Sequence, residues 1–186
     1  MKRVLVTITG ASGAVYGIRT IEVLIQSHYE VHTIVSRWGE KVIAAETGEI
    51  FNPQALGVYA TYEPEAMSSP VASGSFHVEA MIIVPCSMNT VGSIASGLCT
   101  NLIHRAALVT LKEGRPLVIV PRETPLSLID LRNLTKLAEA GAVILPASPA
   151  FYYDPHTIED TVDFIVGKIM DRIGIEHHLF KRWQSL

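Results

Sequence analysis

The sequence predicts a three-layer α/β fold, a doubly wound parallel sheet in a single domain spanning residues 1–186. Three observations predict it. Apolar runs of strand length, rich in Val and Ile, recur along the chain; amphipathic stretches separate them; and each run ends in a loop of Gly, Pro, Ser, Thr or charged residues. Strands alternating with helices form parallel sheets joined by right-handed crossovers, so helices cover both faces. Strands buried on both faces read as continuous apolar runs. That burial accounts for a hydrophobic content of 48% and a mean hydropathy of +0.31, and burial between subunits would add to it.

"RVLVTI" (3–8) is the first strand. "AVYGIRTIEVLIQS" (14–27) follows as a helix, with Ile18, Ile21, Leu24 and Ile25 on one face. "EVHTIV" (30–35) is the second strand and 38–46 the next helix. The segment 47–75 breaks the rhythm with "NPQALG", "SSP" and "ASGS", and is expected to form a helix fragment and a mobile loop ending near the site. "AMIIVP" (80–85) precedes helices at 88–97 and 102–112. "PLVIVP" (116–121) leads to a helix at 127–140, and "AVILPA" (142–147) to one at 157–172. The tail "HHLFKRWQSL" (177–186) mixes basic and aromatic residues, and 174–186 is expected to dock on its own chain or at a subunit interface.

A net charge of −3 gives no general affinity for nucleic acid or anionic membranes. No apolar run approaches the length of a membrane span. Lys2 and Arg3 precede an apolar stretch, but glycines end it where a signal sequence would continue. Cys86 and Cys99 have neither C-x-x-C nor metal-ligand spacing, and two free thiols point to the cytoplasm.

In such folds ligands bind beyond the carboxyl ends of the strands. Those ends read "TGASG", "SRWGE", "PCSMNT", "PRETP" and "PASPAFYYDP". The stretch "TGASGAVYG", with Gly10, Gly13 and Gly17, fits neither the dinucleotide fingerprint, the nucleophile elbow nor the P-loop. It still brings bare backbone to the start of a helix, which suits an anion or an electron-rich ring. Ser12 either caps that helix or touches the ligand. Ser87, Asn89 and Thr90 sit at a second helix start and Ser36 at another, a combination suited to a phosphorylated cofactor. Arg122 has the planar fork that holds phosphate. Glu123 beside it is either a proton shuttle or half of a surface ion pair. Lys112 adds charge to the same anion or caps its own helix. His77 and His104 read as structural, and His177 and His178 as solvated tail residues. No Asp-rich cluster is present, so no metal is expected.

"TGASGAVYG", "SGSF", "PCSMNT", "NLIHRAALVTLKEGRPLVIVPRETPL", "GAVILPASPAFY" and the terminal "RW" together resemble the flavin prenyltransferases, in order, from about residue 2 to Trp183. The resemblance implies a flavodoxin-like or Rossmann-like fold that binds FMN. It implies transfer of a dimethylallyl group from dimethylallyl monophosphate to N5 and C6 of reduced FMN. The prenylated FMN would serve a separate decarboxylase, in ubiquinone biosynthesis or aromatic acid decarboxylation. Homo-oligomers, typically dodecamers, with sites at subunit contacts are implied as well. Gly10, Ala11, Ser12, Ser36, Ser87, Met88, Asn89, Thr90 and Arg122 match flavin contacts, with Ser12 near N5. Glu123 matches the acid–base that assists phosphate departure. Lys112, Tyr152 and Lys168 match the prenyl-phosphate set, Trp183 an aromatic near the prenyl group, and Glu46 and Ser73 positions close to the site. Lys168 stands where some members have Arg, which keeps the charge and loses the fork. Two other readings remain: a flavin-dependent decarboxylase of cysteine-type substrates, for which "PCSMNT" and His77 speak, and a non-enzymatic FMN carrier.

Overall fold

The computed structural model describes residues 2–183. Its elements run β1 (Arg3–Ile8), α1 (Ala14–Gln26), β2 (Glu30–Val35), α2 (Arg37–Thr47), α3 (Pro53–Leu56), β3 (Ala60–Tyr62), a 3-10 turn (Pro70–Ala72) and β4 (Ala80–Cys86). They continue with α4 (Met88–Ala95), α5 (Leu102–Lys112), β5 (Leu117–Pro121), α6 (Leu128–Glu139), β6 (Val143–Ile144) and α7 (Ile158–Arg172). The strands form one parallel sheet in the order β3-β2-β1-β4-β5-β6. Val6 on β1 sits opposite Thr33 on β2 and Ile82 on β4. The order reverses between β1 and β4, and the crevice beyond that point is where such sheets take ligands.

Successive side chains of a strand point to opposite faces, and both faces are buried here. Val4, Val6, Ile8, Ile82 and Val118 pack with Ile21 and Leu24 of α1 and Ile165 and Ile169 of α7. Leu5, Met81, Ile83 and Ile119 pack with Val91 of α4, Ile103 and Ala107 of α5 and Leu137 of α6. Each fully buried Val, Leu or Ile stabilises the fold by about 1.5–3 kcal/mol before entropy is counted.

The structure departs from the sequence expectation in three places. First, the segment after α2 contains β3, an edge strand paired with β2 at His32–Ala60. The chain beyond it is pinned along α5. Leu102 N–H donates to Pro64 O at 2.7 Å, Arg105 Nε to Ala72 O at 2.9 Å, and Arg115 to Gly74 O and Phe76 O at 2.6 and 3.0 Å. It therefore ends at the amino end of the sheet, away from the carboxyl-end crevice. Second, β6 is two residues long. Leu145 and Ala147 N–H groups still reach Ile119 O and Pro121 O, but Pro146 between them has no N–H and breaks the ladder. Third, His177 does not lie in solvent: residues 174–183 fold back onto α7 of their own chain, one of the two dockings expected of the tail, and residues 184–186 lie outside the described residues. A Cβ built on Gly167 would stand 2.5 Å from the rings of both His177 and Phe180. His177 is consequently buried, not solvated, with Nε2 at 3.2 Å from Asp171.

Candidate functional site

Thr9 joins the two loops that flank the reversal. Its N–H and hydroxyl both donate to Pro85 O, at 3.1 and 2.9 Å, and its Oγ1 accepts from Ser87 N–H at 2.8 Å. The glycine loop then passes close to the start of α2. A Cβ on Gly10 would lie 2.5 Å from Trp38 Cβ. Gly13 takes the left-handed conformation (φ 102°) as the N-cap of α1, which glycine adopts without strain. At Gly17 a Cβ would lie 2.5 Å from Val84 O, so this glycine lets α1 lie directly on β4.

Ser12 does not cap α1. Its side chain is exposed, and its carbonyl accepts from Arg122 Nε at 3.2 Å. The start of α1 is instead occupied by Glu46, from α2. The Glu46 carboxylate accepts from Gly13 N–H at 3.0 Å and Ala14 N–H at 2.8 Å. A carboxylate at that end satisfies orphan donors and balances the helix dipole. The anion anticipated for this helix start thus comes from within the chain. Glu123 is exposed and accepts from Thr124 N–H at 3.0 Å. It makes no ion pair with Arg122, so the surface-pair reading fails. Tyr16 packs nearby; burial pushes its phenol up, and Arg122 partly offsets this.

Ser36 caps α2 by accepting from Gly39 N–H at 3.0 Å. Ser87 caps α4 by accepting from Thr90 N–H at 3.4 Å, and Thr90 Oγ1 lies 3.1 Å from its hydroxyl. Between them opens a cleft of about 400 Å³, bounded by Gly10, Ser36, Trp38, Ser87, Asn89 and Thr90, with Asn101 and His104 of α5. Ala11 is buried behind the glycine loop, and Met88 packs on the sheet face covered by α4 to α6. Capped helix starts, small side chains and bare backbone fit a phosphorylated, flat ligand.

A second group lies at the start and end of α7. Tyr152 meets Trp183 edge-on at 5.1 Å. Lys168 Nζ stands 3.5 Å from Asp171. Asp171 also accepts from Arg182 at 2.8 Å, and that guanidinium, with His177, holds its carboxyl down at about 2. Tyr153 is structural, stacked on Phe164 and donating to Asp160 O at 2.9 Å.

Lys112 and Ser73 form a third group, elsewhere. Lys112 is in the last turn of α5, paired with Glu113, and a Cβ on Gly74 would lie 3.1 Å from its Nζ. This is the amino end of β5, whereas Arg122 and Glu123 follow its carboxyl end. Five strand residues separate them, about 17 Å along the strand. Within one chain Lys112 and Ser73 do not join the crevice, and there Lys112 serves its own helix terminus. His77 is exposed. Among the described residues no three His, Cys, Asp or Glu side chains cluster as for a metal.

Sequence reasoning missed Thr9, Trp38, Asn101 and the cleft-lining position of His104. The only signals were Trp38 in a strand-end loop and Asn101 as a helix cap, with His104 three residues on.

The Flavoprotein family model matches residues 1–170. The flavin prenyltransferase LpdB of Lactiplantibacillus plantarum is 48% identical over the full length of both chains. The flavin prenyltransferase UbiX of Pseudomonas aeruginosa is 44% identical over 98% of this chain and 94% of its own. The structure of AnUbiX (PadA1) in complex with FMN and dimethylallyl pyrophosphate superposes with a TM-score of 0.97 at 44% identity, covering 100% of this chain and 98% of that one. A dodecameric FMN-dependent UbiX-like decarboxylase from Escherichia coli O157:H7 gives 0.95 at 38% identity, over 98% of this chain and 100% of that one. The peptidyl-cysteine decarboxylase EpiD, at 18% identity and a TM-score of 0.66, shares the fold alone. With full-length identity at this level and the glycine loop, Arg122 and Glu123 gathered at the switch point, the chain belongs to the flavin prenyltransferase family.

Proposed function

We propose that the protein joins a dimethylallyl group from dimethylallyl monophosphate to N5 and C6 of reduced FMN. The observation that carries this reading is the full-length match to a relative whose structure holds FMN and dimethylallyl pyrophosphate. The Arg122–Ser12 junction at the switch point supports it.

The allylic C–O bond breaks with its electron pair going to phosphate, and bonds form from N5 and C6 to the two ends of the prenyl unit. N5 and C6 each lose a proton; one ends on phosphate and the other on the middle prenyl carbon. Glu123 is the acid for the departing phosphate, Arg122 and Lys168 neutralise its charge, and Tyr152 donates a hydrogen bond to it. Ser12 orients the flavin at N5. Tyr152 and Trp183 offer aromatic faces to positive charge on the prenyl group. Lys112 and Ser73 enter from a second copy of the chain, in a homo-oligomer such as the dodecamer described for the Escherichia coli relative. The product passes to a separate decarboxylase.

The test is anaerobic incubation of the purified protein with reduced FMN and dimethylallyl monophosphate, followed by mass spectrometry of the flavin. A mass gain of one prenyl unit is expected. An unchanged flavin, with both ligands shown to bind, overturns the reading.

A further inference from the structure

The crevice receives the amino ends of three helices. The caps Ser36, Ser87 and Asn101 of α2, α4 and α5 all border it. Their partial positive charges and free N–H groups act on one space, which the Arg37–Glu65 ion pair also borders. Inside it stands His104, 3% exposed. Its backbone N–H donates to Asn101 Oδ1 at 2.9 Å, and its Nδ1 lies 3.1 Å from the Thr100 hydroxyl. Its Nε2 has no protein partner among the described residues. No buried side-chain nitrogen or oxygen of those residues is left unsatisfied, so Nε2 opens to the cleft that His104 lines. Burial disfavours the charged ring. In the tautomer in which the Thr100 hydroxyl donates to Nδ1, the single ring proton rests on Nε2 and faces the cleft.

We infer that His104 is a ligand for the phosphate monoester of FMN, donating Nε2–H to a phosphate oxygen between the three helix starts. The inference deepens the proposed function and rests on FMN occupying this cleft. The other phosphate monoester available to the protein, the prenyl donor, is distinguished by the experiment. Arg122, Lys168 and Tyr152, the groups proposed for that donor, do not border this cleft.

Two near-isosteric variants separate the roles of the ring nitrogens. His104→Asn keeps a partner for Thr100 and removes the donor at Nε2; His104→Gln does the reverse. Dissociation constants for FMN and for riboflavin, which lacks the phosphate, are read from flavin fluorescence on the full-length wild type and both variants. The wild type should prefer FMN. His104→Asn should weaken FMN by about tenfold and leave riboflavin unchanged, and His104→Gln should stay within about threefold of wild type. Equal weakening of both flavins, a glutamine variant as weak as the asparagine one, or no change in either overturns the inference. So does an effect confined to the KM for dimethylallyl monophosphate. A wild type that holds riboflavin as tightly as FMN overturns the cofactor placement itself; a wild-type preference that survives in His104→Asn overturns the role of His104 alone.

Discussion

At the carboxyl end of the sheet three charged groups are tied to backbone, beside the exposed Arg37–Glu65 pair. Arg122 donates to Ser12 O, Glu46 accepts from two N–H groups of α1, and Glu123 accepts from Thr124 N–H. At the amino end Lys112 pairs with Glu113 through two flexible, exposed side chains. The carboxyl end is arranged before any ligand arrives; at the amino end Arg115 is likewise held by Gly74 O and Phe76 O, but the Lys112–Glu113 pair reaches over open surface. Backbone-tied charge suits bond-making, which needs fixed geometry. A flexible cation suits a surface that another molecule completes.

The largest effect is expected from Glu123→Gln. Product formation should fall by about 100-fold or more, as for loss of a general acid, with FMN affinity retained. Unaltered turnover would remove Glu123 from the chemistry, whereas lost product with unaffected activation of the partner decarboxylase would favour a carrier role. The next test asks whether the two ends meet between copies. Lys112→Ala and Glu123→Gln, each poorly active, should recover activity when co-expressed, because about a quarter of the sites in randomly mixed oligomers then carry both wild-type residues. If Lys112 acted within its own chain, no mixed oligomer would recover, and the contrast between the ends would lose its functional meaning.

A stability pair sharpens the contrast further. Gly10→Ala drives a Cβ against Trp38 Cβ and should cost about 2 kcal/mol in denaturant unfolding. Gly74→Ala meets the flexible ends of Glu113 and Lys112, which can swing away, and should cost under about 0.5 kcal/mol. Equal costs would mean that both ends are packed alike. The last test concerns the tail. Asp171 titrates at about 2 instead of its ordinary 3.8. Its charged contacts therefore add stability above pH 3.8, and that contribution is lost as pH falls from about 4 to 2. Asp171→Asn should remove this acid transition in Trp183 fluorescence and cost about 1 kcal/mol at neutral pH.

The strands and helices were legible because burial on both faces leaves unbroken apolar runs. β3 was not, because "ATY" is a short, partly exposed edge segment whose pairing depends on β2. The glycine loop, Arg122 and Glu123 were also legible, since each follows directly on an apolar run. "LKEGRPLVIVPRETP" read as one functional block, yet the strand inside it carries Lys112 and Arg122 to opposite ends of the molecule. Glu46 at the start of α1 and His104 in the crevice come from crossings between distant elements, which no local pattern records.

Glu46 has a consequence for how a ligand lies. The α1 helix end beneath the glycine loop is already met by a carboxylate, while the helix ends around His104 carry only neutral caps. The N–H donors left for an incoming anion are therefore those of the three capped helix starts, beside the Arg37–Glu65 pair, and not those of α1. A molecule with a neutral, flat head and an anionic foot has its foot directed to that end by backbone that is already in place.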